Sequence, residues 1–156
     1  MNNNTPSFTA KLVASSFLFA AVQDIQALVM RDIRPDYFLF GAYGLGWLFL
    51  ALTVVTLALD VGAGLLLNRH RLGATVAIGA LVMTALVRIL APVLAIHNPG
   101  QLAAAVTAAG LPTKPFQLNV LLAMAVVVSI GALIGTVLVR RHRFQAQAAV
   151  AAPEAA

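Results

Sequence analysis

Four long apolar runs, separated by short polar clusters, set the pattern of this chain. They cover about 9–30, 37–67, 72–97 and 116–139. A helix rises 1.5 Å per residue and a hydrocarbon core is about 30 Å thick, so about 20 residues suffice to cross it. Each run meets that length. The pattern predicts an all-α membrane protein, a four-transmembrane-helix antiparallel bundle over 9–143. Residues 1–8 and 144–156 are polar or low in complexity and are expected to be disordered.

The first run carries a polar notch at Gln23, Asp24 and Gln26. Its apolar core behind Lys11 has the size of a cleavable leader's, but no small-x-small site follows cleanly, so it reads as a first span. The second run begins with Tyr37, Phe38, Phe40, Tyr43, Trp47 and Phe49, the residue types that gather at a membrane–water boundary. As one helix it would be about 45 Å long, more than a bilayer needs. Gly41, Gly44, Gly46, Gly62 and Gly64 are its loose points. Pro35 disfavours helix before it, and Asp36 is placed to cap it. Pro92 is expected to bend the third helix. Beyond it, Asn98 as cap, Pro99 at the first helical position and Gly110 past the end predict a short outer surface helix over 99–109. Leu102 and Val106 would lie on one face of it.

Composition agrees. The chain is 61% hydrophobic and 10% charged, whereas soluble domains carry about a quarter charged residues. The absence of cysteine excludes disulfides and thiolate chemistry. No cofactor or metal site is expected. A net charge of +5 would suggest nucleic acid in a soluble protein. Here the cations flank the spans, where they set topology and meet lipid headgroups, so the bilayer is the expected partner and nucleic acid is not. With four spans, Lys11, Arg69, Arg71, Arg140, Arg141 and Arg143 share one side, and Arg31, Arg34 and Lys114 share the other. The positive-inside rule then puts both termini in the cytoplasm. The excess of arginine over lysine and the abundant alanine fit a GC-rich bacterial genome, and the expected location is a bacterial inner membrane.

Arg88 lies deep in the third run. A guanidinium stays charged, and a charge in hydrocarbon costs from about 3 to 10 kcal/mol or more, so it needs a partner. Counting along the helices puts Asp24 about 20 Å above Lys11 and Arg88 about 25 Å above Arg71. Small residues flank both, with Ala10, Ala14, Ala20, Ala21 and Ala27 on the first helix and Gly73, Ala77, Ala80, Thr84, Ala91 and Ala95 on the third. They allow close approach of the two helices. The expectation is a buried Asp24–Arg88 pair, with Gln23 and Gln26 adding hydrogen bonds. Such a pair is either a structural lock or a ligand or proton site.

Asp60 has no cation at its own height. Ser15, Ser16, Thr75 and Thr136 are its expected neighbours. A protonatable acid between helices is what a proton-coupled carrier needs, and a helix-locking hydrogen bond needs the same. Gly131 and Gly135 form a GxxxG for helix packing, and Arg140, Arg141 and Arg143 suit anionic headgroups. His70, His97 and His142 form no pair at two depths, which speaks against a transmembrane haem site. No nucleophile–base set is spelled out either. The leading expectation is a small integral membrane protein without enzymatic activity, an accessory or interaction subunit in a homo-oligomer or a larger membrane complex. A small oligomeric proton-coupled carrier or channel using Asp24, Arg88 and Asp60 is the first alternative. A membrane enzyme acting on a lipid or apolar molecule is the second.

Overall fold

The computed structural model describes residues 8–30, 35–70 and 72–151. Expectations that fall on 1–7, on Arg31, Arg34 and Arg71, on the Arg143 side chain and on 152–156 lie outside the described residues. Every described element is helical: α1 (Phe8–Val29), α2 (Pro35–Ala42), α3 (Gly46–Leu66), α4 (Gly73–His97), α5 (Pro99–Ala108), a 3₁₀ turn at Lys114–Phe116, and α6 (Leu118–Ala151). Four segments are long and apolar enough to cross a membrane: Lys11–Val29, Gly46–Leu66, Gly73–His97 and Leu118–Arg141.

The apolar run read as one helix over 37–67 is two helices. Gly44 adopts φ 72°, a left-handed conformation open to glycine at no steric cost. Its N–H donates to the Gly41 carbonyl at 2.9 Å, and the Leu45 N–H donates to the Phe40 carbonyl at 2.8 Å. This is the Schellman pattern that closes a helix end. The chain turns there, and α2 folds against α3, α4 and α5 instead of prolonging the span. At α5 the Asn98 side chain accepts from the Gln101 N–H at 3.3 Å, and Leu102 and Val106 are buried. The last helix does not stop near Val139 as expected; α6 continues to Ala151. The stretch after the arginines is rich in alanine and glutamine, strong helix formers, and holds no glycine or proline before Pro153.

The spans contact one another in chain order: α1 lies along α3, α3 along α4, and α4 along α6. Among the described residues α1 makes no comparable contact with α4 or α6. Lipid tails are as apolar as the side chains, so close backbone approach has to hold such contacts together. Gly64 shows this directly. A Cβ built there would come within 2.5 Å of Leu18 Cδ2 and 3.3 Å of the Ala14 carbonyl oxygen. Two apolar cores result. One joins Leu39, Phe40, Phe49, Ala91, Ala95, Leu102, Val106, Phe116 and Leu121 at the α2 end. The other joins Ala14, Phe17, Ala63, Leu67, Ala74, Ala77, Ala80 and Val139 at the opposite end.

Candidate functional site: two acidic centres between the cores

Arg88 does find a carboxylate, but the partner is Asp36. Arg88 Nη1 donates to Asp36 Oδ2 at 2.6 Å, with the two side chains 30% and 20% exposed. The expected Asp24–Arg88 pair is therefore corrected, for two physical reasons. First, α1 packs along α3, and among the described residues it makes no comparable contact with α4. Second, the contact of Gly62 with Val76 fixes the α3–α4 register. That register puts Asp60 level with the second turn of α4, near Ile78, some ten residues or roughly 15 Å short of Arg88. Asp36, read from sequence as a helix cap alone, reaches Arg88 because the turn at Gly44 lays α2 over α4.

The second centre joins the acids that the sequence singled out separately. Asp60 is 3% exposed and lies beside the carboxyl of half-buried Asp24 across the α1–α3 contact, whose register Gly64 sets against Ala14 and Leu18. A carboxylate has acceptors only, so a hydrogen bond between two carboxyl groups requires a proton on one of them. Asp60's expected hydroxyl neighbours are engaged elsewhere. Ser15 donates to the Lys11 carbonyl at 2.9 Å, Ser16 to Val13 at 2.7 Å and Thr136 to Ala132 at 2.8 Å, while Thr75 is exposed. Gln23 and Gln26 are exposed on α1, and the Gln26 amide reaches Met30 Sδ at 3.8 Å.

Sequence reasoning missed Thr53 and Thr56. Together with Asp60 they are the three buried polar or charged side chains among the described residues, and all three stand on α3. Spacings of three and four put them on one helix face. Thr53 Oγ1 donates to the Phe49 carbonyl and Thr56 Oγ1 to the Leu52 carbonyl, each at 2.8 Å. The signal that would have found them is the polar repeat itself, 53, 56, 60, inside an otherwise apolar helix.

At the α2 end two further bonds hold the turns together. Tyr43 Oη donates to the Asn98 carbonyl at 3.1 Å, and Gln101 Nε2 donates to the Ala42 carbonyl at 2.7 Å. Burial pushes the Tyr43 phenol pKa above its ordinary 10.0. An open groove of about 560 Å³ runs between α2 and α5, lined by Tyr37, Phe38, Gly41 and small alanines. Neither Asp24 nor Arg88 lines it. On α6 the two glycines part company. A Cβ at Gly135 would come within 2.9 Å of Leu81 Cδ1 on α4, whereas Gly131 faces open space.

Lys11, Arg69, Arg140 and Arg141 are exposed. Val139, beside the last two, is buried in the cluster of Ala14 and Leu67, which gathers these cations at the end opposite α2. Comparison with protein-family models, with curated proteins and with solved structures finds no match to this chain.

Proposed function

We propose that this small integral membrane protein binds and releases a proton at the Asp24–Asp60 pair and works as a proton-coupled carrier. The carrying observation is the juxtaposition of two carboxyl groups across the α1–α3 contact inside the spans, one of them 3% exposed. Ionisable groups at membrane depth mark ion and proton pathways more often than structural features. A helix lock made from Asn or Thr would need no proton, whereas this one does. Arg88 takes no direct part in this reading, because Asp36 answers its charge. We take the four spans to be an antiparallel set, with the end that carries Lys11, Arg69, Arg140 and Arg141 in the cytoplasm of a bacterium and those arginines against anionic headgroups.

The test is infrared spectroscopy of the protein in nanodiscs at neutral pH. A carboxylic-acid carbonyl band is expected in the wild type. Asp60→Asn and Asp24→Asn should each remove it, together with proton uptake after a pH jump. A wild type without the band, or a band that survives both substitutions, overturns the proposal.

The accessory-subunit reading keeps one observation of its own. Val126, Val127, Leu133 and Val137 on α6 are all more than half exposed, and only α4 among the other spans packs closely on this helix. That face suits a second membrane protein or a second copy. Cysteine cross-linking from position 127 or 133 in native membranes tests it, and exclusively monomeric, uncross-linked chain would sink it.

A further inference from the structure

We infer that, in the conformation the structure shows, the carboxyl pair exchanges its proton with one side of the membrane only, the α2 side, along a path through Thr56 and Thr53. This rests on the proton-binding reading above. It concerns the route to the pair, which that reading leaves open.

The argument lies in the contrast above and below Asp60 on the same face of α3. Toward the α2 end come Thr56 and then Thr53, 5% and 6% exposed. Toward the basic end come Ala63 and Leu67, sealed with Ala14, Phe17, Ala74, Ala77, Ala80 and Val139 into an apolar cluster. A proton moves along hydroxyls, carboxyls and water, and a packed hydrocarbon plug offers none of these. Each threonine hydroxyl already donates to its own helix, at the Phe49 and Leu52 carbonyls. Its oxygen lone pairs are left to accept from a passing water. Side chains three and four apart on a helix stand about 5–6 Å from each other, a gap that one water bridges. Thr53 lies about one turn from the level of Arg88, where the 20%-exposed Asp36 offers a polar edge toward the surface. The aromatic cluster of Phe40 and Phe49 closes the remainder of that end.

The charged groups that bear on the route are few. Asp24 stands beside Asp60 on α1, the Arg88–Asp36 pair lies about one turn beyond the level of Thr53, and Lys11 stands at the far end of α1. The step itself is a bare proton transfer. A proton from water on the α2 side passes to the ionised carboxylate of the pair, and in this conformation it returns by the same route, so no other reactant is required. Release to the opposite side is the work of a second conformation.

Two experiments decide it. In the first, the carbonyl band of the pair is followed after a change from H₂O to D₂O. Thr53→Val with Thr56→Val should slow the band shift about tenfold, equivalent to about 1.4 kcal/mol of barrier. Thr53→Ser with Thr56→Ser should leave the rate near that of the wild type. If the valine variant keeps the band and the wild-type rate, the route is wrong while the proton site stands; if Asp60→Asn fails to remove the band, the site itself is wrong. The second uses the absence of cysteine from the chain. Single cysteines at 53, 56, 63 and 67 are treated with a small membrane-impermeant thiol reagent from each side of sealed vesicles. Labelling at 53 and 56 from one side only, with 63 and 67 protected, is expected. Equal labelling at 63, or labelling from both sides, overturns the inference.

Discussion

Asp36 and Asp60 are both acids on helices of an apolar protein, and they solve the same problem in opposite ways. Asp36 meets a cation at 2.6 Å and stays partly open to the surface. Asp60 is almost wholly buried and meets a second acid. The first arrangement is complete without any other species: two opposite charges cancel, and the exposed edge spares part of the desolvation cost. The second can close a hydrogen bond between its two members only with a proton. What separates them is therefore reversibility. A salt bridge of this kind holds a short helix in place without exchanging anything, whereas a carboxyl pair changes charge whenever its proton leaves.

The largest effect is expected at the salt bridge. Arg88→Met leaves Asp36 facing an apolar neighbour and should lower stability in detergent by about 1–3 kcal/mol, discounted from the fully buried case because both groups keep some exposure. Adding Asp36→Asn should restore most of that loss, since the cost comes from the uncompensated charge. At the acid pair the same measurement should show little. Asp60→Asn puts a hydrogen-bond donor beside Asp24, and interhelical hydrogen bonds in membranes average about 0.6 kcal/mol. Thermal unfolding of the three variants side by side breaks the comparison if Asp60→Asn is the most damaging of them.

The elements were largely legible in the sequence and the partners were not. Hydropathy marked four runs because span length is a local property of composition, and Asn98, Pro99 and Gly110 framed α5 because capping is local too. Gly44 was one of five glycines in its run, and nothing local told it from Gly41. Only the chain's need to bury Leu39 and Phe40 against α4 and α5 decides where the break falls. Asp24, Asp60 and Arg88 were all singled out, yet pairing by height failed. Distance along a helix gives a level only if the helices share an origin and tilt, and it never gives a neighbour. Once Gly64 seats Leu18, Asp24 and Asp60 are brought together, and Arg88 is left to the one acid that a turn folds over it.

The smallest effect sharpens the comparison at the α2 end. Tyr43 lies between α2 and α3, outside the spans, and its hydroxyl donates to the Asn98 carbonyl at 3.1 Å. Its raised pKa means that the folded protein holds the phenolic proton more tightly than the unfolded chain does. The associated stability is fully present below the ordinary value of 10.0 and is lost as pH rises through the folded value. Ultraviolet titration of the two tyrosines should therefore contain a late component that Tyr43→Phe removes. At neutral pH the same substitution should cost about 0.5–1 kcal/mol, the net worth of one hydrogen bond. It loosens the turn that presents Asp36 to Arg88, while the carboxyl band of the Asp24–Asp60 pair should not move. A shift of that band in Tyr43→Phe would mean that the two acidic centres are coupled, and that α2 reports on the proton instead of only holding its place.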